Sequence, residues 1–164
     1  MFSKPKNGWS EISWNGIYIG RCSYIEAVPL DFIEYCVTYL YNYYNGIQGN
    51  FEFIFDAEGW SVGIVEIDGS LFSYDTRFNR INNLTELRLH CDYIPNGVKI
   101  LLEDAVKDFK NDFKDWVLFL AFTENEILRY SNQLEYYINI AEEYITKTWS
   151  EINENNRRKN QRNI

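Results

Sequence analysis

Residues 51–75, FEFIFDAEGWSVGIVEIDGSLFSYD, contain the pattern that decides the fold. Phenylalanine recurs at positions 51, 53 and 55, and such alternation is typical of a β-strand with one buried face. The segments DAEG (56–59) and DG (68–69) are turn sequences, so the stretch predicts three strands joined by short connections. Because parallel strands need long crossovers, we expect antiparallel pairing.

Further strands are predicted on both sides of this meander. Upstream, apolar runs flank Asn15-Gly16, and both residues tolerate the positive φ angles of a type I′ hairpin turn. Downstream, residues 76–83 are predicted to form a polar loop. The alternation over residues 86–93 then predicts a fourth strand of the meander.

Apolar residues at helical spacing predict three helices. The first begins at residues 29–31 (PLD) and ends before Asn45-Gly46, a favourable helix stop. After a break at residues 95–97 (PNG), one apolar stripe runs over residues 98–120. A second runs from about Glu124 to residue 152, so the two long helices are expected to form a C-terminal helical hairpin.

The predicted fold class is therefore α+β, with the element order ββ-α-ββββ-αα and an antiparallel sheet packed against helices on one face. Residues 1–152 are expected to form a single domain. Residues 153–164 are polar and basic, and we expect them to be a frayed helix end rather than a site for RNA, a membrane or an acidic partner.

The charge balance excludes several classes of function. The chain of 164 residues has 24 acidic and 16 basic residues, for a net charge of −8. Residues 1–152 alone carry 23 acidic and 12 basic residues, a net −11. An acidic body of this kind argues against direct nucleic-acid binding, which needs cations for the phosphates. Without a signal peptide or an apolar run of about 20 residues, a cytoplasmic location without membrane contact is expected.

Few residues are available for catalysis or metal binding. The single His90 and the cysteines at 22, 36 and 91 show no zinc-ligand spacing. His90 and Cys91 are strand neighbours on opposite faces, which argues against a nucleophilic pair. We therefore predict no metal, no cofactor and no enzymatic activity. The alternative is a small enzyme that uses turn carboxylates, and its candidate residues are Asp56, Glu58, Glu66, Asp68 and Asp75.

The first long helix has a sorted acidic face. Asp104, Asp108, Asp112 and Asp115 fall within a sector about 100° wide, beside the apolar stripe. Asp is a poor helix former and like charges at this spacing repel, so the arrangement has a local cost without an evident folding benefit. These aspartates are therefore predicted to bind a basic partner, although an ordinary solvated face is the alternative. We expect charge reversal at two of them to weaken partner binding without lowering the melting temperature.

Two tyrosines of the first helix are candidate anchors for the same partner. Tyr35 and Tyr39 fall off the apolar stripe of that helix, and tyrosine is enriched at protein interfaces. The alternative is that both rings pack against neighbouring elements of their own chain.

Residues 59–69, GWSVGIVEIDG, have the Trp-x-x-Gly strand character seen in several bacterial immunity proteins. In size, acidity and aromatic content the whole chain resembles these proteins, which are encoded beside secreted or contact-dependent toxins. The resemblance implies a cytoplasmic inhibitor that binds a cognate toxin domain, such as a basic nuclease, through an acidic and aromatic surface. The alternatives are a phage-type inhibitor of a host nuclease or defence complex, and a structural subunit that oligomerises through its helical hairpin.

Overall fold

A computed structural model describes residues 1–77, 80–84 and 94–146, and its secondary structure confirms the α+β class. The strands, in chain order, are β1 (Trp9–Trp14), β2 (Ile17–Ser23), β3 (Glu52–Asp56), β4 (Ser61–Ile67), β5 (Ser70–Asp75) and β6 (Arg80–Asn83). The helices are α1 (Val28–Tyr44), α2 (Ile94–Asn111), α3 (Phe113–Leu120) and α4 (Glu124–Thr146).

The strands divide into two antiparallel sheets. β1 and β2 form a two-stranded ribbon, whereas the other strands form a four-stranded sheet in the order β3-β4-β5-β6. The ribbon contacts the larger sheet where Gly20 of β2 meets Val62 of β4. A Cβ at Gly20 would lie 2.7 Å from a Val62 methyl carbon, so the missing side chain lets the ribbon approach this closely.

Both predicted two-residue turns are confirmed. Asn15 and Gly16 have φ angles of 50° and 80°, and Asp68 and Gly69 have φ angles of 48° and 75°. Positive φ at both central residues is the type I′ geometry, whose twist matches that of the flanking strands. These turns fix the register of the first hairpin and of the β4–β5 pair.

The last strand of the meander differs from the prediction. β6 lies at Arg80–Asn83, so the prediction of loop over these residues is wrong. β6 is a sheet-edge strand with little apolar patterning, and main-chain pairing with β5 defines it. In addition, the main-chain N–H of Asn82 donates to Ser73 Oγ at 3.3 Å. The strand predicted over residues 86–93, with His90 and Cys91, lies outside the described residues.

The long helices also differ in detail. α2 begins at Ile94, and Pro95 lies in its first turn, where a missing N–H is tolerated, so the predicted break at residues 95–97 is wrong. The predicted helix over residues 98–120 is interrupted at Asp112, whose φ and ψ of −117° and 34° are not helical. The end predicted for the last helix, and the basic tail, lie beyond the described residues.

The core lies between the helices and one face of the larger sheet. On that face Phe53, Ile64 and Leu71 are buried, and the buried side of α1 packs against them. An aromatic cluster links the N-terminal segment, residues 1–8, to α1 and α2. Phe2 stacks edge-on with Phe32 at a centroid distance of 5.6 Å, and it lies 4.9 Å from Phe109. The N-terminal segment is therefore part of the core.

Candidate functional site

The four aspartates of the predicted acidic face lie along the N-terminal part of their own chain. Asp104 Oδ2 accepts a hydrogen bond from the indole Nε1–H of Trp14 at 2.9 Å. Asp108 Oδ2 accepts the main-chain N–H of Phe2 at 2.8 Å and also pairs with the ammonium group of Met1. Trp14 and Phe2 are almost fully buried, so both contacts contribute to folding. The expectation that these aspartates have no folding role is therefore wrong for Asp104 and Asp108.

The other two aspartates are more open to a partner. Asp112 is the non-helical residue between α2 and α3, Asp115 lies in the first turn of α3, and the Lys4 side chain bridges the two. The Lys4 Nζ lies 3.1 Å from Asp115 Oδ2 and 3.7 Å from Asp112 Oδ1. The Lys4 side chain is 60% exposed, and hydrogen bonding to Asp115 raises its pKa. Exposed pairs of this kind are weak, so a partner's cation can compete with Lys4.

The two candidate tyrosines pack against β3 and its leading residue. The Tyr35 ring lies 5.1 Å from that of Phe51, and its Oη accepts the Glu52 N–H at 2.9 Å. The Tyr39 ring lies 5.2 Å from the same phenylalanine. Partial burial raises the pKa of both hydroxyls. The structure thus places these rings against Phe51 at the start of β3, whereas the aspartates contact the N-terminal segment and β1, so it does not join the two sets into one surface.

A different set of apolar side chains lies beside Asp115. Tyr24 and Phe122 stack edge-on with ring centroids 5.6 Å apart, and Leu118 and Phe122 are 51% and 60% exposed. Together with Asp115 and Pro5 they line a shallow hollow of about 380 Å³. We use the name apolar patch for the three apolar side chains of this hollow together with Ile25, the sequence neighbour of Tyr24, which is 62% exposed: Tyr24, Ile25, Leu118 and Phe122.

Carboxylates lie next to members of the apolar patch. Asp115 lines the hollow with Leu118 and Phe122, and Lys4 links it to Asp112. Glu26 directly follows Ile25 in the sequence, and its pKa is raised by burial first and by the fields of neighbouring carboxylates second. Those neighbours are Asp56, Asp31 and Glu58. The patch therefore combines apolar contact area with a negative rim, which is what the acidic stripe and the tyrosines were expected to provide.

Sequence reasoning missed this patch, although one signal was present. Residues 116–122 form a strongly apolar run, and Leu118 falls off the buried stripe of its helix. An apolar residue on the polar side of an amphipathic helix marks a possible contact surface. Phe122 lies beyond the end of α3, where helical periodicity makes no prediction.

A stacked row of tryptophan and arginine side chains was also missed. The Arg21 guanidinium carbon lies 4.2 Å from the Trp9 ring centroid and 5.8 Å from that of Trp60. The Arg77 guanidinium stacks on the Trp60 ring at 4.3 Å, and the Arg77 main-chain N–H donates to Asp75 Oδ1. Since this row joins the ribbon to the larger sheet, we assign it to stability through cation–π contacts.

The carboxylates proposed for an enzymatic alternative hold main-chain groups. Asp56 Oδ1 accepts the N–H of Gly59 at 2.8 Å within its turn. Glu66 Oε2 accepts the N–H of Phe51 at 2.9 Å. Such contacts are those expected of turn and strand-end carboxylates. Across residues 1–77, 80–84 and 94–146, no group of three His, Cys, Asp or Glu residues is arranged to hold a metal ion.

In the described part of the chain, no helix is both long enough and apolar enough to cross a membrane. Comparisons with protein-family models, with curated proteins and with solved structures find no match to this chain.

Proposed function

We propose that this chain is a cytoplasmic immunity protein, which neutralises a basic toxin domain by covering it with the apolar patch and its acidic rim. The observation that carries the proposal is that exposed apolar side chains and the carboxylate of Asp115 line one hollow. Leu118, Phe122 and Asp115 line the same hollow, and the two apolar side chains are more than half exposed. Contiguous exposed apolar groups rimmed by polar residues are typical of protein interaction sites.

The two properties of this surface have separate roles in binding. Its carboxylates attract a positively charged protein over long range and raise the rate of encounter. The apolar side chains then provide affinity, because a few desolvated anchors carry most of the energy of an interface. A nuclease domain suits such a surface since its phosphate-binding cleft is positively charged.

We assign different roles to the four aspartates of the acidic face. Asp104 and Asp108 hold buried groups of the N-terminal part of the chain, so reversing their charge is expected to lower the melting temperature. Asp112 and Asp115 pair with the exposed Lys4, so we assign contact with the partner to these two.

Phe122→Lys is expected to weaken binding of the toxin at least tenfold, on the order of 1.4 kcal/mol or more, because it removes an anchor and adds a positive charge. Tyr136→Lys is the matched control, since Tyr136 is 61% exposed on α4 against 60% for Phe122. The partner is first isolated from source cells on the immobilised chain, and calorimetry then measures its affinity for each variant. We expect this partner to be basic, toxic when expressed alone and harmless when co-expressed with the chain.

The proposal would fail if the retained protein were harmless to cells, or if Phe122→Lys and Tyr136→Lys bound it equally well. Circular dichroism of both variants establishes that a loss of binding does not come from unfolding.

Lys4→Ala is expected to strengthen binding of the toxin, whereas Phe122→Lys is expected to weaken it. Removing this cation leaves Asp112 and Asp115 uncompensated, so binding of the basic toxin should tighten about two- to fivefold at low salt. The gain should disappear in about 0.5 M salt, where charges are screened within a few ångströms. A weaker complex after Lys4→Ala would place Lys4 itself in the interface and contradict the assignment to the aspartates.

A further inference from the structure

The four-stranded sheet has an outer face, which points away from the helices. Directly paired residues of antiparallel strands share a face, and the register pairs Ile54 with Gly63, Gly63 with Tyr74 and Tyr74 with Ile81. A second row has polar residues at both ends, and it pairs Glu52 with Val65, Val65 with Phe72 and Phe72 with Asn83. We use the name outer face for Gly63 and the apolar residues of these rows, with Ile67 at the end of β4: Ile54, Gly63, Val65, Ile67, Phe72, Tyr74 and Ile81.

The outer face is apolar and open to solvent. Ile54, Ile67 and Ile81 are 38%, 39% and 50% exposed, and Phe72 and Tyr74 are partly buried. In the part of the chain that the structure describes, the helices pack on the opposite face of this sheet. An antiparallel sheet with one solvated face normally carries polar side chains there, so this row of large apolar residues needs another explanation.

Charge distinguishes the outer face from the apolar patch. Its residues on β4, β5 and β6 are all uncharged, and the charged side chains that share the face are Glu52 and Asp56 on the edge strand β3. A basic toxin has no carboxylate to attract it to the middle of this face. Two copies of a chain with net charge −8 repel each other, and this electrostatic repulsion is smallest when they meet through an uncharged surface.

We propose that the outer face packs against the outer face of a second copy of this chain, forming a two-sheet sandwich across a two-fold axis. Sheets pack in this way at about 10 Å separation, with interdigitated side chains.

The area of the outer face sets the expected strength of the proposed dimer. Four strands at about 4.8 Å spacing and about five residues of 3.3 Å each make a face roughly 19 by 17 Å. Two such faces together cover about 650 Å² in projection, which is below the roughly 1,000 Å² of a stable specific interface. We therefore expect the dimer to be weak and transient.

The test is sedimentation equilibrium of the full chain from about 5 to 500 μM, at about 0.15 and 0.5 M NaCl. We expect a monomer–dimer equilibrium that shifts toward dimer at the higher salt, since salt screens the repulsion between two acidic copies. Ile54→Lys and Ile81→Lys, at the two edges of the face, are each expected to abolish the dimer. Ile47→Lys, at an isoleucine 55% exposed elsewhere, should leave it intact.

Three results would overturn the proposal: a monomer throughout this range, a dimer that both edge variants retain, or a dimer that dissociates as salt rises. Loss of toxin binding in Ile81→Lys would assign the outer face to that partner and would also overturn it. Because the apolar patch is untouched by these variants, failure of the dimer leaves the proposed immunity function standing.

Discussion

Gly63→Ala is expected to destabilise the fold by about 3 kcal/mol or more, and to prevent stable pairing of β3 with β4. A Cβ at Gly63 would lie 1.9 Å from the carbonyl oxygen of Phe53 and 2.8 Å from the Cα of Ile54. Both contacts are with main-chain atoms of the paired strand, so no side-chain rotation can relieve them. Relief requires β3 to move away, which breaks its hydrogen bonds with β4 and exposes the buried side chain of Phe53.

Urea unfolding followed by tryptophan fluorescence measures this loss directly. Gly49→Ala is the matched control, because an added Cβ there meets no atom within 4 Å and the backbone is not in the positive-φ region. It should change the free energy of unfolding by less than about 0.5–1 kcal/mol, in the stabilising direction. If Gly63→Ala cost less than about 1 kcal/mol, β3 would not approach β4 as closely as the structure places it.

The parts of the fold that could be predicted are those defined by local rules. Alternation of aromatic residues at 51, 53 and 55 and the positive-φ turns at Asn15-Gly16 and Asp68-Gly69 specify strands and hairpins within a few residues. β6 has no such signal, because an edge strand is defined by its pairing with β5. The break at Asp112 has no local sequence signal either, because the apolar stripe continues across it from α2 into α3.

The candidate site could be predicted in its chemistry but not in its location. A row of aspartates beside an apolar stripe does indicate a basic neighbour, yet sequence spacing does not say which one. For Asp112 and Asp115 that neighbour is Lys4, and for Asp108 it is the N-terminal backbone, more than 100 residues away in sequence. Likewise, exposure of Leu118 and Phe122 is set by how the helices and the N-terminal segment pack, which no local pattern encodes.

Phe2→Ala is expected to destabilise the protein by about 3–5 kcal/mol, as for other large phenylalanine deletions in cores. Phe2 is 4% exposed, and its ring contacts those of Phe32, Phe109 and Trp116 at centroid distances of 5.6, 4.9 and 5.9 Å. Losing the ring leaves a cavity among rigid aromatic groups that cannot collapse to fill it. It also releases the segment that carries Lys4, so the pairing with Asp112 and Asp115 is lost with it.

Phe122→Ala is the matched comparison, since that ring is 60% exposed and its removal should cost less than about 1 kcal/mol.

Combining Phe2→Ala with Asp108→Asn tests whether packing of the Phe2 ring and the hydrogen bond to Asp108 stabilise the same segment. Both changes act on the same docked segment, so the double variant should lose clearly less than the sum of the two single losses. Additive losses would mean that Asp108 and Phe2 stabilise the fold independently, and that the aspartate does not serve to hold the N-terminal segment in place.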